Sequence, residues 1–268
     1  MPTLTEIVAA TRRKVAESRS TADLPELKRQ AGLHAPRGFR GKIESASKIG
    51  PAIIAELKKA SPSRGLIRAD FDPQILSREL EMSGAAALSV LTDQEFFQGS
   101  LHNLSVASAS TALPCLRKDF IVDEFQIMEA RAHGADAVLL IVAALNPQEL
   151  SRLAKRAGEL QLDVLCEVHD EVELGHALEA GCDLIGVNSR DLQTFKVDTE
   201  TAFRVAEMLP YGVLAVAESG IENGAEIAKL RSAGYDGFLI GEALMRAPRP
   251  GEALRKLLQE AAVGASAS

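Results

Sequence analysis

The sequence predicts an α/β protein, a (β/α)8 barrel of the TIM type with an N-terminal helical extension. Two patterns point there. From Pro51 onward, eight short apolar runs alternate with segments of helical spacing. The runs are continuous rather than alternating, as expected for parallel strands covered on both faces. A third observation weighs against an open doubly wound sheet. Such a sheet normally carries a Gly-rich turn after its first strand, whereas here the first run leads into Glu56-Leu-Lys-Lys-Ala-Ser-Pro-Ser-Arg-Gly65.

The runs cover 52–57, 86–91, 114–117, 136–142, 162–168, 183–187, 213–217 and 237–240. Between them, Phe125, Met128 and Ala132 recur at helical intervals, as do Leu150, Leu153, Ala154 and Ala157, and then Val172, Leu174, Ala177 and Leu178. Asp123, Asn146, Asp170 and Asn223 are natural N-caps. Gly134, Gly181 and Gly234 stand where helices end before strands, a place for left-handed backbone. Ahead of the barrel, Ile7, Val8, Ala10 and Val15 suggest one helix and Leu24, Leu27 and Ala31 a second. Residues 1–50 are expected to pack on the barrel as a cover, within one domain spanning 1–268.

Composition narrows the function classes. The net charge of -7 gives no long-range attraction for nucleic acid, yet local groups can still hold a small anion. The longest apolar run, 137–145, is well short of the roughly 20 residues of a bilayer-spanning helix, so no membrane partner is expected. Nothing at the N-terminus resembles a signal peptide. Cys115, Cys166 and Cys182 are few and odd in number, and read as reduced core residues of a cytoplasmic protein. No cysteine pair has zinc spacing. His169 and His176 are the closest histidines, and no metal site is expected at them.

In a barrel of this kind, chemistry sits at the C-terminal ends of the strands. Several runs end in charge. Glu56 and Lys58, two apart, share one side of the first strand. Lys118 ends the third. Glu167 ends the fifth, with Leu165 and Asp163 on the same face. Asn188 and Arg190 close the sixth, and Glu218 and Ser219 the seventh. A lone charge at a strand end is usually solvated, but this many inward charges have no packing rationale, because burying unpaired charge is costly. Crowded carboxylates and ammonium groups shift one another's pKa values and suit acid–base work. Arg117 and Lys59 point the other way, to surface or helix-facing roles.

A second group suits phosphate. Ser219-Gly220-Ile221 follows the seventh strand and Gly241-Glu242 the eighth. Glycines there let backbone N–H groups approach an anion, and a short helix starting at Gly241 would add its positive end. Ser61 stands ready across the mouth. Glu242 fits a phosphate site poorly and is expected to turn outward. The same glycines would also serve plain tight turns. Phe96, Phe97 and Phe120 lie in loops after strands two and three; in a chain with 4% aromatics they fit a wall for an aromatic ring, or simple loop packing.

Taken together, Glu56-Leu-Lys-Lys-Ala-Ser-Pro-Ser-Arg-Gly65, Ser89-Val-Leu-Thr-Asp93, Phe96-Phe-Gln-Gly-Ser100 and Leu116-Arg-Lys-Asp-Phe120 resemble successive signatures of the indole-3-glycerol phosphate synthase family. So do Glu167-Val-His, Gly186-Val-Asn-Ser-Arg-Asp-Leu-Gln-Thr-Phe195, Ala217-Glu-Ser-Gly-Ile221 and Leu239-Ile-Gly-Glu-Ala-Leu-Met245. The resemblance covers nearly the whole chain. It implies a decarboxylating ring closure of 1-(2-carboxyphenylamino)-1-deoxyribulose 5-phosphate in tryptophan biosynthesis, without cofactor or metal. It implies Lys118 as general acid, Glu167 as the carboxylate that assists dehydration and Lys58 as a contact to the substrate carboxylate, with proton transfer open between Lys58 and Lys118. Glu56, Asn188 and Glu218 would orient these groups. Arg190 would pair with the anthranilate carboxylate, Phe97 and Phe120 would hold the ring, and Ser61, Ser219, Gly220 and Gly241 would surround the phosphate.

Two other readings stay open at this point. A neighbouring phosphate-barrel enzyme, such as phosphoribosylanthranilate isomerase, would share the phosphate site without needing the extension or Glu56 and Lys58 together with Lys118. A catalytically silent barrel would be expected to have lost one of the charged strand ends. A monomer or weak homo-oligomer is expected.

Overall fold

The computed structural model describes residues 3–190 and 198–265. Three helices precede the barrel: α1 (Leu4–Thr21), α2 (Leu24–Leu33) and α3 (Phe39–Ser47). Eight parallel strands then close on themselves: β1 (Ala52–Leu57), β2 (Ala87–Leu91), β3 (Cys115–Lys118), β4 (Ala137–Ile141), β5 (Asp163–Val168), β6 (Leu184–Asn188), β7 (Leu214–Glu218) and β8 (Gly237–Ile240). Closure is made where Ala52 to Ala55 of β1 run beside Gly237 to Ile240 of β8. Each strand lies within one residue of the apolar run that announces it.

The helices between strands start where the caps predict. Asp123, Asn146, Asp170 and Asn223 each accept a backbone N–H of the turn they open, and three of them are completed as capping boxes by Gln126, Glu149 and Glu226. Gly134, Gly181 and Gly234 take φ of +83°, +81° and +105°, left-handed backbone that lets each helix turn into the next strand.

Alternation along the strands separates two apolar layers. Ile53, Ala55, Leu88, Val90, Val138 and Cys166 face the surrounding helices. Ala52, Ile54, Leu116, Leu139, Leu165 and Val216 fill the barrel interior. Two residues farther along the same inward faces come Glu56, Lys118, Glu167 and Glu218. The interior is thus apolar for most of its height and charged at its C-terminal rim.

The extension does more than cover. Two helices were expected and three are present. The third, α3, is opened by Gly38 at φ +73° and pushes Phe39 and Ile43, both fully buried, into the interior from the N-terminal end. A clasp fixes this plug. Asp136, just before β4, accepts from Arg37 Nη2 at 2.6 Å, Arg37 N at 2.7 Å and Cys115 N at 2.6 Å, with His34 Nε2 at 3.2 Å. At the other end of the extension, Leu4 and Ile7 of α1 reach the cavity at the C-terminal rim. Among the described residues, no helix is long and apolar enough to cross a membrane.

Candidate active site

The C-terminal rim encloses a cavity of about 800 Å³. All thirteen residues expected at the site line it: Glu56, Lys58, Ser61, Phe97, Lys118, Phe120, Glu167, Asn188, Arg190, Glu218, Ser219, Gly220 and Gly241. Phe96 does not line it, although Phe97 beside it does. Both belong to a short helix, α4 (Gln94–Phe97), which Asp93 opens by accepting from Phe96 N at 2.6 Å.

Lys118 is the hub. Its Nζ donates to Glu167 Oε2 at 2.8 Å and to Glu218 Oε2 at 2.5 Å. Glu167 Oε1 in turn accepts from Asn188 Nδ2 at 3.1 Å. Asn188 Oδ1 accepts from Arg190 N at 3.0 Å, so β6 ties its two polar residues together. Lys58 pairs with Glu56 across the two-residue repeat that placed them on one side of β1.

One ammonium between two carboxylates cannot neutralise both. Burial opposes charge on Lys118, but Glu167, Glu218 and Glu56 outweigh it and hold the ammonium far above the ordinary lysine range. Burial likewise opposes charge on Glu167; Lys118 and His169 overcome it and hold this carboxyl well below the usual range. Glu218 goes the other way. Burial and the neighbouring Glu167 outweigh Lys118 and push it up to about 7. At neutral pH the rim therefore holds a loaded acid, an ionised carboxylate and a carboxyl poised to exchange its proton. Such a set can protonate one substrate atom while deprotonating another.

Small residues make room for these carboxylates. A Cβ on Gly241 would stand 2.3 Å from Glu56 Oε1, and one on Gly186 would stand 2.2 Å from Glu218 Oε1. Ser219 and Gly220 take consecutive positive φ of +65° and +74° after β7. For a serine that backbone is strained, and it turns the chain sharply at the rim beside Gly241 and the Ser61 loop.

One expectation changes, that for Glu242, while Arg117 and His169 gain a definite place. Arg117 faces the helices but is not at the surface: it is buried between Asp119 at 3.0 Å and Glu129 at 3.3 Å, because β3 is covered on its outer side. Glu242 does not turn away; it lines the cavity mouth, held by Arg64 at 3.0 Å and Arg246 at 3.4 Å. His169 contacts the site, lying 3.4 Å from Glu167 and 3.0 Å from Glu173. Of the motif that starts at Gly186, residues 191–195 lie outside the described residues.

The family model described as indole-3-glycerol phosphate synthase matches residues 4–257. A protein of that name from Koribacter versatilis is 56% identical over 96% of this chain and 98% of its own length. Another, from Acidithiobacillus ferrooxidans, is 47% identical over 95% and 97%. The chain belongs to the indole-3-glycerol phosphate synthase family. Solved structures far from it in sequence share the barrel. Thiamine phosphate pyrophosphorylase from Pyrococcus furiosus superposes with a TM-score of 0.61 at 18% identity, over 82% of this chain and 98% of that one. KGPDC from Streptococcus mutans does so with a TM-score of 0.60 at 12% identity, over 78% and 96%. At such identities the likeness concerns the fold alone.

Proposed function

We propose that this chain closes the indole ring in tryptophan biosynthesis, converting 1-(2-carboxyphenylamino)-1-deoxyribulose 5-phosphate to indole-3-glycerol phosphate with release of CO2 and water. The observation that carries this reading is the Lys118 ammonium held between Glu167 and Glu218, beside a second lysine–glutamate pair, in one cavity.

The ring carbon bearing the carboxylate attacks the C2 carbonyl carbon while Lys118 gives its proton to the carbonyl oxygen. Loss of CO2 leaves its electron pair in the ring and restores aromaticity. Lys118, reloaded with the proton held on Glu218, then protonates the new hydroxyl, which departs as water, and Glu167 takes the proton released from the neighbouring carbon. A tightly held proton makes Lys118 a poor acid while both carboxylates are ionised. Protonation of Glu218 near neutrality relieves that hold and lets Lys118 deliver its proton.

Lys58 pairs with the substrate carboxylate, supported by Glu56, and Arg190 meets the same group. Phe97 and Phe120 stack the ring. Ser61, Ser219, Gly220 and Gly241, from adjacent strands β1, β7 and β8, take the phosphate. Gripping both ends of a flexible chain brings the reacting carbons together, a contribution of roughly 7–11 kcal/mol in favourable intramolecular cases. The cavity falls within the usual size for a small-molecule site, about 300–1,000 Å³. We take the chain to work as one cytoplasmic domain, monomeric or weakly associated.

The test is to mix purified chain with the substrate in metal-free buffer and follow indole fluorescence together with CO2. Equal yields of both support ring closure with decarboxylation. Folded protein that gives neither product rejects the reading.

A further inference from the structure

His169 directly follows β5 and has no part in the reaction above. Its ring is held from behind. Nδ1 lies 3.0 Å from Glu173 Oε2, which also accepts from the His169 backbone N–H at 2.8 Å. Glu173 sits in the first turn of α5 (Glu171–Glu179), whose cap Asp170 accepts from Glu173 N at 2.8 Å. The other ring nitrogen, Nε2, is buried without a hydrogen bond and faces Glu167 Oε1 at 3.4 Å. An imidazole with a carboxylate at each nitrogen has a use for two N–H donors, which is the charged form.

The two glutamates on Lys118 are equally buried, and each holds the ammonium with one oxygen. They differ at the other oxygen. Glu167 Oε1 faces the Asn188 amide and the His169 ring. Glu218 Oε1 is buried with no hydrogen-bond donor and lies over Gly186. Two like groups in unlike surroundings are driven to opposite protonation states.

We infer that His169 is a positioning residue for Glu167: braced by Glu173, its imidazolium holds Oε1 and keeps the negative charge on Glu167, leaving the exchangeable proton to Glu218. This rests on the ring-closing reading, in which Glu167 must stay ionised after Lys118 has given up its proton. Among the described residues, the charged groups facing the imidazole are Glu167 from β5 and Glu173 from α5; Lys118 from β3 acts on it through Glu167. Burial would lower the ring's pKa, but these two carboxylates outweigh it and raise it to about 10.

His169→Gln keeps a donor and removes the charge. Its kcat should fall roughly 10- to 100-fold, while KM stays within about threefold. The acid limb of its kcat profile should move to higher pH, because Glu167 loses a cation. A second readout needs no turnover. In the wild-type chain, the imidazole nitrogen resonances of His169, assigned by their loss in the variant, should remain those of an imidazolium at about pH 8, where an ordinary histidine is neutral. An unchanged kcat with an unmoved acid limb overturns the inference, and so does a neutral ring at that pH. A charged ring in a wild-type chain that turns over no substrate would uphold the pairing and remove the ring-closing reading.

Discussion

Two buried ionic clusters sit at opposite ends of one barrel and are finished differently. At the N-terminal end, both oxygens of Asp136 are met by several donors, and no buried side-chain nitrogen or oxygen of the clasp lacks a partner. At the C-terminal rim, Glu218 Oε1 and His169 Nε2 are buried without a hydrogen bond. Saturation makes the first cluster a rivet. The second has donors and acceptors left to offer a substrate, at a cost in stability of about 1–3 kcal/mol for each group left unmet.

Substitutions at the two ends should therefore separate activity from stability. The largest effect belongs to Lys118→Ala. Its kcat should fall about 10²–10⁴-fold, with KM changed far less. Steady-state kinetics decides this, and an unchanged kcat removes Lys118 from the role of acid. Next comes Arg37→Ala, which takes the guanidinium from the buried Asp136 carboxylate and leaves it only His34 and two backbone N–H groups. Breaking such a pair costs about 3–5 kcal/mol, readable by denaturant unfolding, while turnover per folded molecule should not change. The same variant should alter the pH dependence. Burial opposes charge on Asp136, but His34 and Arg37 prevail and lower its pKa. Its contribution is thus complete above the ordinary carboxylate range and lost as pH falls through the folded value. Arg37→Ala should weaken that acid-side loss.

The smallest effect has the opposite sign. Glu218 is raised from 4.5 to about 7 in the folded chain. Between those values the folded state binds more protons than the unfolded one, so this group makes stability fall as pH rises. Glu218→Gln should accordingly gain on the order of 2 kcal/mol at about pH 8 and nothing at about pH 4. Unfolding curves at the two pH values that run parallel to wild type would refute the raised carboxyl.

The same contrast explains what the sequence made legible. Alternation in β1, β3, β5 and β7 places Glu56, Lys118, Glu167 and Glu218 on inward faces, because a strand's period is two and its length is set by the apolar run. Strand bounds and helix caps are local properties, and they read well. The plug helix α3 escaped because only Phe39 and Ile43 mark its buried face, too few to show a period, and Gly38 offers no side-chain cap. His169 escaped for a different reason. Its role depends on Glu173, four residues on, folding back as α5 begins, and on Glu167 lying inward, neither of which a single histidine announces. Arg117 was placed on the right side of β3, but its ion pairs with Asp119 and Glu129 depend on how a helix covers that side. The carboxylate seats at Gly186 and Gly241 are tertiary too, since a missing Cβ matters only once a neighbouring side chain is there.

Lys118→Arg tests the central claim most directly, since it keeps the positive charge between Glu167 and Glu218 but substitutes a guanidinium that does not release its proton. Unfolding temperature and turnover of the substrate should be measured together. The account predicts a folded, rim-paired variant whose turnover falls about as far as that of Lys118→Ala. Turnover close to wild type would contradict it, because Lys118 would then act by its charge alone.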